Sequence, residues 1–358
     1  MPTLRVLTAA EQVADHLRKE IRSGTWTGTM PGGAALAREL GVGRMTVDAA
    51  LDLLEKQGEL VSQGARLPRR VSTTRSYSSS LKVAFLPYLI EDYRFDYIMD
   101  LQRLLQEDGH TVLFPKTSIT LMKGNMARIT KLIETTQADA WIVVAGPREV
   151  LTWFSECPVP AFAMFGRRSG LPIAGIGPDK SPALRELARH FIELGHERIT
   201  MLTRPVRRLP RPGAPERAFL DELRRGGIRT GSYNLPDWDG KSETLGNVVD
   251  SIFKLTPPTA IVLDEPPIFL SVQQHLARRG ILAPQHVSLA CTDWDPYFEL
   301  QQPSVAHVLW DSRPWVRRIV RWVRNVSQGK SDLVQSLTKT KLVRGESIGR
   351  ALSRRRRG

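Results

Sequence analysis

In residues 36–54, LARELGVGRMTVDAALDLL, apolar positions recur at helical spacing in two short blocks separated by a turn. Leu36, Ala37 and Leu40 form the inward face of the first block, and Val47, Ala50, Leu51 and Leu54 that of the second, the spacing of amphipathic helices. Gly41-Val42-Gly43 supplies the positive-φ freedom that a reversal needs, with Val42 as its apolar plug. Arg44, Met45, Asp48 and Ala49 are left facing outward near the start of the second helix. An earlier helix over residues 9–23 turns Val13, Leu17 and Ile21 inward, and Trp26 covers the edge of this small core. After the pair, Gly58 ends the helix and residues 59–62 read as a strand. Gly64 offers a turn, and Arg66, Arg69 and Arg70 precede Val71-Ser72, which makes a basic β-wing beside the second helix.

From residue 81 the period changes. Apolar runs predict strands over 82–86, 111–114, 140–145 and 161–165, alternating with helices over 93–108, 122–135 and 147–154. A second set begins near Gly177, with helices over 181–194, 216–225, 245–255 and 268–279 and strands over 198–203, 260–263 and 287–291. Such alternation argues for parallel sheets flanked by helices. Two doubly wound units in tandem create a cleft at their interface, where such folds hold small ligands. Residues 72–80, STTRSYSSS, are polar and without period, and read as a linker. The predicted class is α/β: an N-terminal winged helix-turn-helix over 1–72, a linker over 73–81, a two-lobed domain of doubly wound parallel sheets over 82–350 and a basic tail over 351–358.

The length of 358 residues fits two to three domains. The net charge of +14 favours a polyanionic partner, yet the first 80 residues carry 11 Lys/Arg against 8 Asp/Glu. A DNA-binding assignment therefore rests on the helix-turn-helix, whose second helix lies in the major groove, and not on bulk charge. Arg354 to Arg357 either add non-specific phosphate contacts or form a solvated end. Cys157 and Cys291 lack a CxxC partner or metal-ligand spacing and are expected as reduced thiols. No signal peptide precedes the first helix and no run approaches a membrane span, so a soluble cytoplasmic protein with no membrane partner is expected. His190 and His196 sit in a helix, turn and strand segment and read as structural. Gly175-Ile176-Gly177-Pro178 is not a phosphate loop, because it opens no G-x-G-x-x-G turn. Asp264 and Glu265, adjacent on an extended strand end, point apart and do not form an acid/base pair. No Ser/His/Asp or Cys/His set is present in the pattern. A non-enzyme without cofactor or metal is expected.

Residues 9–72 resemble the GntR-type winged-helix regulators. The resemblance rests on QVADHLRKEIRSG over 12–24, Met30-Pro31, Leu36-Ala37, Gly41-Val42, Arg44, Thr46-Val47, Ala50-Leu51, Leu54 and Gly58. It implies that Arg44 and Thr46 contact DNA and that Gly64 and Arg66 enter the minor groove from the wing; Arg38 and Met45 complete the expected set. Family members often carry Arg where this chain has Ala34, and a second Arg where it has Asp48. An acid facing phosphate is repulsive, although one facing cytosine accepts from its amino group. Weaker or differently specified binding per monomer is expected, with affinity restored by dimerisation.

Residues 82–350 resemble the LacI/GalR regulators and the related periplasmic sugar-binding proteins. HFIELGHERI over 190–199 carries the clearest match. Phe219-Leu220 with Gly227-Ile228, PTAIV over 258–262, RGILAP over 279–284 and VSLACTD over 287–293 follow in order. PSVAHV over 303–308 resembles the crossover back to the first lobe, and KLVRGES over 341–347 the closing strand. The implied lobes are 82–177 with 303–328, and 178–302 with 335–350. A winged helix on such a body resembles the arabinose-repressor subgroup. That resemblance implies a homodimeric repressor of operator DNA with a sugar or sugar derivative as effector. Asp293 would accept from sugar hydroxyls, Trp238 would stack on the ring, and Arg167, Tyr88, Tyr93 and Arg217 would line the cleft. The pattern departs at Pro215, where the family's effector-gripping Arg stands, with Arg217 two residues on. It departs again at Asp264-Glu265-Pro266-Pro267, which replaces an Asn-Asp pair. Arg204, Arg207, Arg208 and Arg211 form either an anion-binding loop or a solvated basic loop. Two alternatives stay open: a constitutive regulator whose body serves only dimerisation, and a sugar-processing enzyme with a DNA-binding appendage.

Overall fold

The computed structural model describes residues 8–22, 25, 26, 28–56, 59–64, 67–71 and 80–352; Arg66, residues 72–79 of the linker and Arg354 to Arg357 of the tail lie outside the described residues. The head is built from α1 (Ala9–Arg22), α2 (Gly33–Leu40), α3 (Arg44–Lys56), β1 (Leu60–Val61) and β2 (Arg70–Val71). Val13, Leu17 and Ile21 meet Leu36, Val47, Ala50, Leu51 and Leu54 in one core, which Leu60 and Val71 close and Trp26 borders. The two wing strands pair antiparallel, Leu60 opposite Val71. Of the two glycines expected to reverse the chain, only Gly41 takes the left-handed conformation, with φ of 65°. Gly43 does not need it. Its carbonyl accepts from Thr46 and Val47 at 3.0 and 3.2 Å and so begins α3.

The body continues with β3 (Lys82–Leu86), α4 (Asp96–Glu107), β4 (Thr111–Leu113), α5 (Met126–Thr136), β5 (Ala140–Val144), α6 (Arg148–Glu156), β6 (Ala161–Met164) and β7 (Ala174–Pro178). It proceeds through α7 (Ser181–Glu193), β8 (Ile199–Leu202), α8 (Pro205–Arg208), α9 (Ala214–Arg225), α10 (Ser242–Leu255), β9 (Ala260–Leu263), α11 (Pro266–Ala277) and β10 (Ser288–Cys291). β11 (Ala306–Trp310), α12 (Arg313–Ser327), β12 (Gln335–Thr338) and β13 (Thr340–Val343) complete it. Two sheets result. The first runs β12-β7-β6-β5-β3-β4 and the second β13-β11-β10-β9-β8. β5, β6 and β8 to β10 are buried at every position, as strands covered by helices on both faces must be. By compactness the chain divides into two units, and the one that holds the head also takes in Leu105–Thr111 and Val323–Ser331. No helix among the described residues is long and apolar enough to cross a membrane.

Two boundaries differ from the expectation. Residues 306–310 stay in the second lobe, where β11 pairs with β10 and β13, and the chain returns to the first lobe only after Trp310. Residues 335–338 join the first sheet through β7, Gln335 opposite Gly175. The strand β7, AGIGP, forms without an apolar run to announce it. Its glycines make room for a neighbour: a Cβ on Gly175 would lie 2.7 Å from the Ala163 carbonyl oxygen and close to the Arg168 side chain. Arg168 crosses there, buried, donating to the carbonyls of Phe165 and Ser336 at 3.2 and 3.1 Å. Burial lowers its pKa to about 10.

At the end of β6, Gly166 adopts φ of +70° and sits against the Gly146 backbone, so that an added Cβ would lie 2.5 Å from the Gly146 oxygen. Gly166→Ala is expected to destabilise the body by at least about 1–2 kcal/mol, the left-handed backbone term alone. Urea unfolding of the variant beside the parent chain reads this directly, and coincident midpoints would show that the loop rearranges freely.

Candidate functional site

Two surfaces carry chemistry. The first is the start of α3. No acidic residue lies in its first turn, so the free backbone N–H groups of the helix N-terminus are uncompensated and favour an anion. Arg44 and Met45 project there, Met45 being 86% exposed, and Thr46 is half-buried behind them. The Arg44 side chain is 73% exposed and lies 3.6 Å from Asp48. An exposed i,i+4 pair of this kind is worth under about 0.5 kcal/mol, so it leaves Arg44 free to exchange Asp48 for a phosphate or a base. Asp48 also packs against Gly33 at the start of α2, which draws it away from the outer face. Arg38 is exposed on α2, its Nε 3.4 Å from the Ala34 carbonyl. Gly64 stands between the wing strands at φ +116°. Arg69 is spoken for by Asp52 and Glu55 of α3 and braces the wing.

The second surface is formed where the C-terminal ends of the parallel strands in the two lobes meet. β8 is followed by Thr203-Arg204, β9 by Asp264-Glu265 and β10 by Thr292-Asp293. Three of the four arginines in the loop after β8 are paired, and Arg211 is exposed. Arg204 pairs with Glu265 at 2.7 Å, Arg207 with buried Asp264 at 3.3 Å, and Arg208 with Asp237 and the Trp238 carbonyl. Asp264 also accepts from the Arg204 backbone N–H at 3.4 Å, and Asp264 beside Arg207 raises the guanidinium pKa further. Burial drives the Glu265 carboxyl up to about 7, with Asp264 adding to it, and the Asp92 carboxyl up to about 6.

The expected ligand residues divide. Tyr88 lies at this junction, half-buried, within electrostatic reach of Arg204, Glu265 and Asp264. Arg167 reaches from the first lobe to the second, its Nε donating to the Val206 carbonyl at 2.6 Å and Nη1 to the Arg211 carbonyl at 2.8 Å. Asp293 is held by Lys180 Nζ at 3.0 Å, the Trp294 backbone N–H at 3.0 Å and Trp310 Nε1. The other three are placed differently from the expectation. Trp238 is buried in the core of the second lobe, and its indole N–H caps the entry to α10 through Lys241 O and Thr244 Oγ1, both at 3.1 Å. It is 4% exposed, so its ring belongs to that core, and it also borders a pocket with Arg208, Asp237 and Val248. The Tyr93 hydroxyl donates to the Phe85 and Pro115 carbonyls, each 3.1 Å away, which ties the loop after β4 to β3. Arg217 is exposed on α9, donating to the Pro212 carbonyl, and its neighbour Glu216 turns inward instead.

The residues that fill the junction carry no local sequence pattern. Glu216 is 4% exposed, its Oε2 without a hydrogen-bond partner, and burial raises its pKa against the pull of Arg207. Thr203 Oγ1 and Arg167 Nη2 are likewise buried without partners. Tyr97, Phe165, Trp310 and Trp315 form one aromatic group, with Trp310 and Trp315 centroids 4.3 Å apart and Phe165 edge-on to Trp315 at 4.8 Å. Phe165 is held at φ 63°. The readable signal was the opposition of Arg204/Arg207 to Asp264/Glu265, two runs of opposite charge at neighbouring strand ends. Among the described residues no His/Cys/Asp/Glu group is arranged to hold a metal ion.

Residues 9–66 match the family described as bacterial regulatory proteins, gntR family, and residues 188–348 the periplasmic binding protein-like domain. Among curated proteins none matches the chain. The fold is similar to a putative transcriptional regulator LacI from Bacillus cereus subsp. cytotoxis NVH 391-98, at 17% identity and a TM-score of 0.63, over 76% of this chain and 100% of that one. It is similar to a periplasmic binding protein/LacI transcriptional regulator from Alkaliphilus metalliredigens QYMF complexed with D-xylulofuranose, at 16% identity and TM-score 0.58, over 76% and 99% of the two chains. The lac repressor dimer bound to operator and the anti-inducer ONPF is similar at 15% identity and TM-score 0.60, over 77% and 97%. The architecture is a gntR-type helix-turn-helix head fused to a LacI-like body.

Glu265 generates a pH prediction. Its folded pKa of about 7 lies above the ordinary 4.5, so the folded state keeps a proton that the unfolded chain has released, and stability falls as pH rises through that window. Glu265→Gln is expected to flatten the decline between about pH 4.5 and 7, measured as unfolding free energy against pH. A difference between variant and parent that stays constant across the window would contradict the assignment.

Proposed function

We propose that this chain, a transcriptional regulator with a gntR-type DNA-binding head and a LacI-like ligand-binding body, is a cytoplasmic repressor that binds operator DNA as a homodimer. We infer that a small polar ligand, a sugar or sugar derivative, enters between the lobes and sets operator affinity. Arg38, Arg44, Met45 and Thr46 are the proposed contacts of the helix pair, and Gly64 with Arg66 those of the wing. The exposed, acid-free start of α3 is the observation that carries the DNA part. For the ligand part, the support is three buried polar atoms without partners: Arg167 Nη2, Thr203 Oγ1 and Glu216 Oε2. A donor, a hydroxyl and an acceptor in one neighbourhood suit a molecule with several hydroxyl groups, because buried polar atoms left unpaired are costly. Tyr88, Asp293 and Arg167 are retained as proposed ligand contacts. Ligand entry would change the angle between the lobes, and dimer contacts that span both lobes would pass this on to the spacing of the two heads.

A second reading keeps the DNA contact and treats the body as a dimerisation module only. It is favoured by Arg167, which ties the lobes directly through the Val206 and Arg211 carbonyls. A thermal-shift screen over sugars, sugar acids and nucleosides separates the two. A ligand specific to the folded state at 100 times its Kd contributes about 2.7 kcal/mol, so a binder raises the melting temperature, and a flat screen favours the second reading. For the head, Arg44→Ala is expected to weaken operator binding by about 1–3 kcal/mol and to relax preference at one base position. Unchanged affinity in a titration would remove Arg44 from the contact set.

A further inference from the structure

The buried face of α12 fixes how that helix is turned. Trp315, Ile319, Trp322 and Val323 are buried, and Trp315 Nε1 donates to Thr338 Oγ1 at 2.8 Å. Arg318 is buried with them, bidentate on Asp332 at 3.0 and 2.7 Å. With those residues inward, Arg313, Arg317, Arg321 and Arg324 must face out, and all four are exposed. They form a row of cations about 6 Å apart along the helix. The sequence of α12, RPWVRRIVRWVRNVS, contains no acid. Arg313 pairs with Asp311 at 2.8 Å and Arg324 with Asp108 at 2.6 Å, whereas Arg317 and Arg321 have no ion pair among the described residues.

Other surface helices of the body look different. α4 sets Arg103 against Asp100, and α9 sets Arg224 against Asp221 and Arg225 against Glu222. Those mixed signs stabilise a solvated helix, and like charges four residues apart do the reverse. A single-signed row needs a reason beyond solubility. Nor does this face offer the aromatic or apolar centre on which protein interfaces are built. What matches it is a surface of regularly repeated anions, and duplex DNA presents one phosphate per about 3.4 Å of axis on each strand.

We propose that the outer face of α12 is a second, sequence-independent DNA-contact surface, with Arg317 and Arg321 on backbone phosphates. The inference rests on the reading that the head binds DNA. The test uses the full chain and two duplexes, one from its own upstream region and one of random sequence, each titrated across a salt series. The double variant R317A/R321A is expected to bind both duplexes more weakly by the same factor, leaving sequence preference unchanged. Its plot of log K against log salt should be shallower by about 1.8, two phosphate contacts at about 0.9 each, and R317K/R321K should keep the parent slope. A thermal melt checks that the double variant is folded. Superimposable slopes for parent and double variant would overturn the proposal, as would loss of binding to polyglutamate with duplex binding intact, which assigns the face to an acidic protein. Arg44→Ala measured alongside separates the two failures. If it abolishes sequence preference while the slopes coincide, only the α12 surface falls; if neither variant alters binding to any duplex, the DNA-binding reading falls with it.

Discussion

Asp293 takes hydrogen bonds from two of the three segments by which the chain passes between lobes. Lys180, 4% exposed, belongs to the passage from β7 to α7, and Trp310 ends β11 just before the passage to α12. The third passage is tied to the first directly, by Asp179 N–H to the Thr338 carbonyl at 2.8 Å and Thr340 Oγ1 to the Asp179 carbonyl at 2.7 Å. Removing one member of a buried ion pair leaves the other charge stranded and costs about 3–5 kcal/mol. The junction is therefore held at one setting by polar groups that have few alternatives, which is the condition for an element with discrete states. Arg167 adds a separate tie away from the passages, using carbonyls of the arginine loop.

The aromatic group beside these ties has a backbone origin. β5 and β6 are each followed by a left-handed non-glycine residue, Ala145 at φ 50° and Phe165 at φ 63°, and then by glycine. Such conformations cost about 1–3 kcal/mol and persist where surrounding structure over-determines them, most often at functional sites. Here the strain delivers the Phe165 ring to Trp315 and Tyr97. The apolar wall at the lobe junction is consequently this group, and Trp238 belongs to the packing of α10.

The fold was legible because its cause is periodicity. Apolar residues at 3.6 spacing mark α3, and unbroken runs such as AWIVV and AFAM mark strands covered on both faces. β7 escaped because its AGIGP sequence is shaped by the passage of Arg168, a tertiary demand with no local signature. The lobe assignment of residues 306–310 and 335–338 has a related cause, since pairing partners 30 to 36 residues away decide the first and partners 160 residues away the second. At the site, residue types were easier to read than orientations. Arg217 and Glu216 are adjacent, and only the packing of α9 determines which of them turns in. Asp264 and Glu265 each pair with an arginine from the same loop, Asp264 with Arg207 and Glu265 with Arg204, which their residue types alone did not announce.

These ties give the body a mechanical role only if the setting of its lobes is linked to DNA affinity. Arg167 is the residue to use, because it belongs to the body and lies in none of the three passages. The decisive measurement is the operator affinity of full-length Arg167→Ala beside the parent chain, with dimer content checked in the same samples. Linkage predicts a several-fold change in operator affinity at unaltered dimer content and sequence preference. Identical affinities would contradict it and leave the body as a dimerisation module alone.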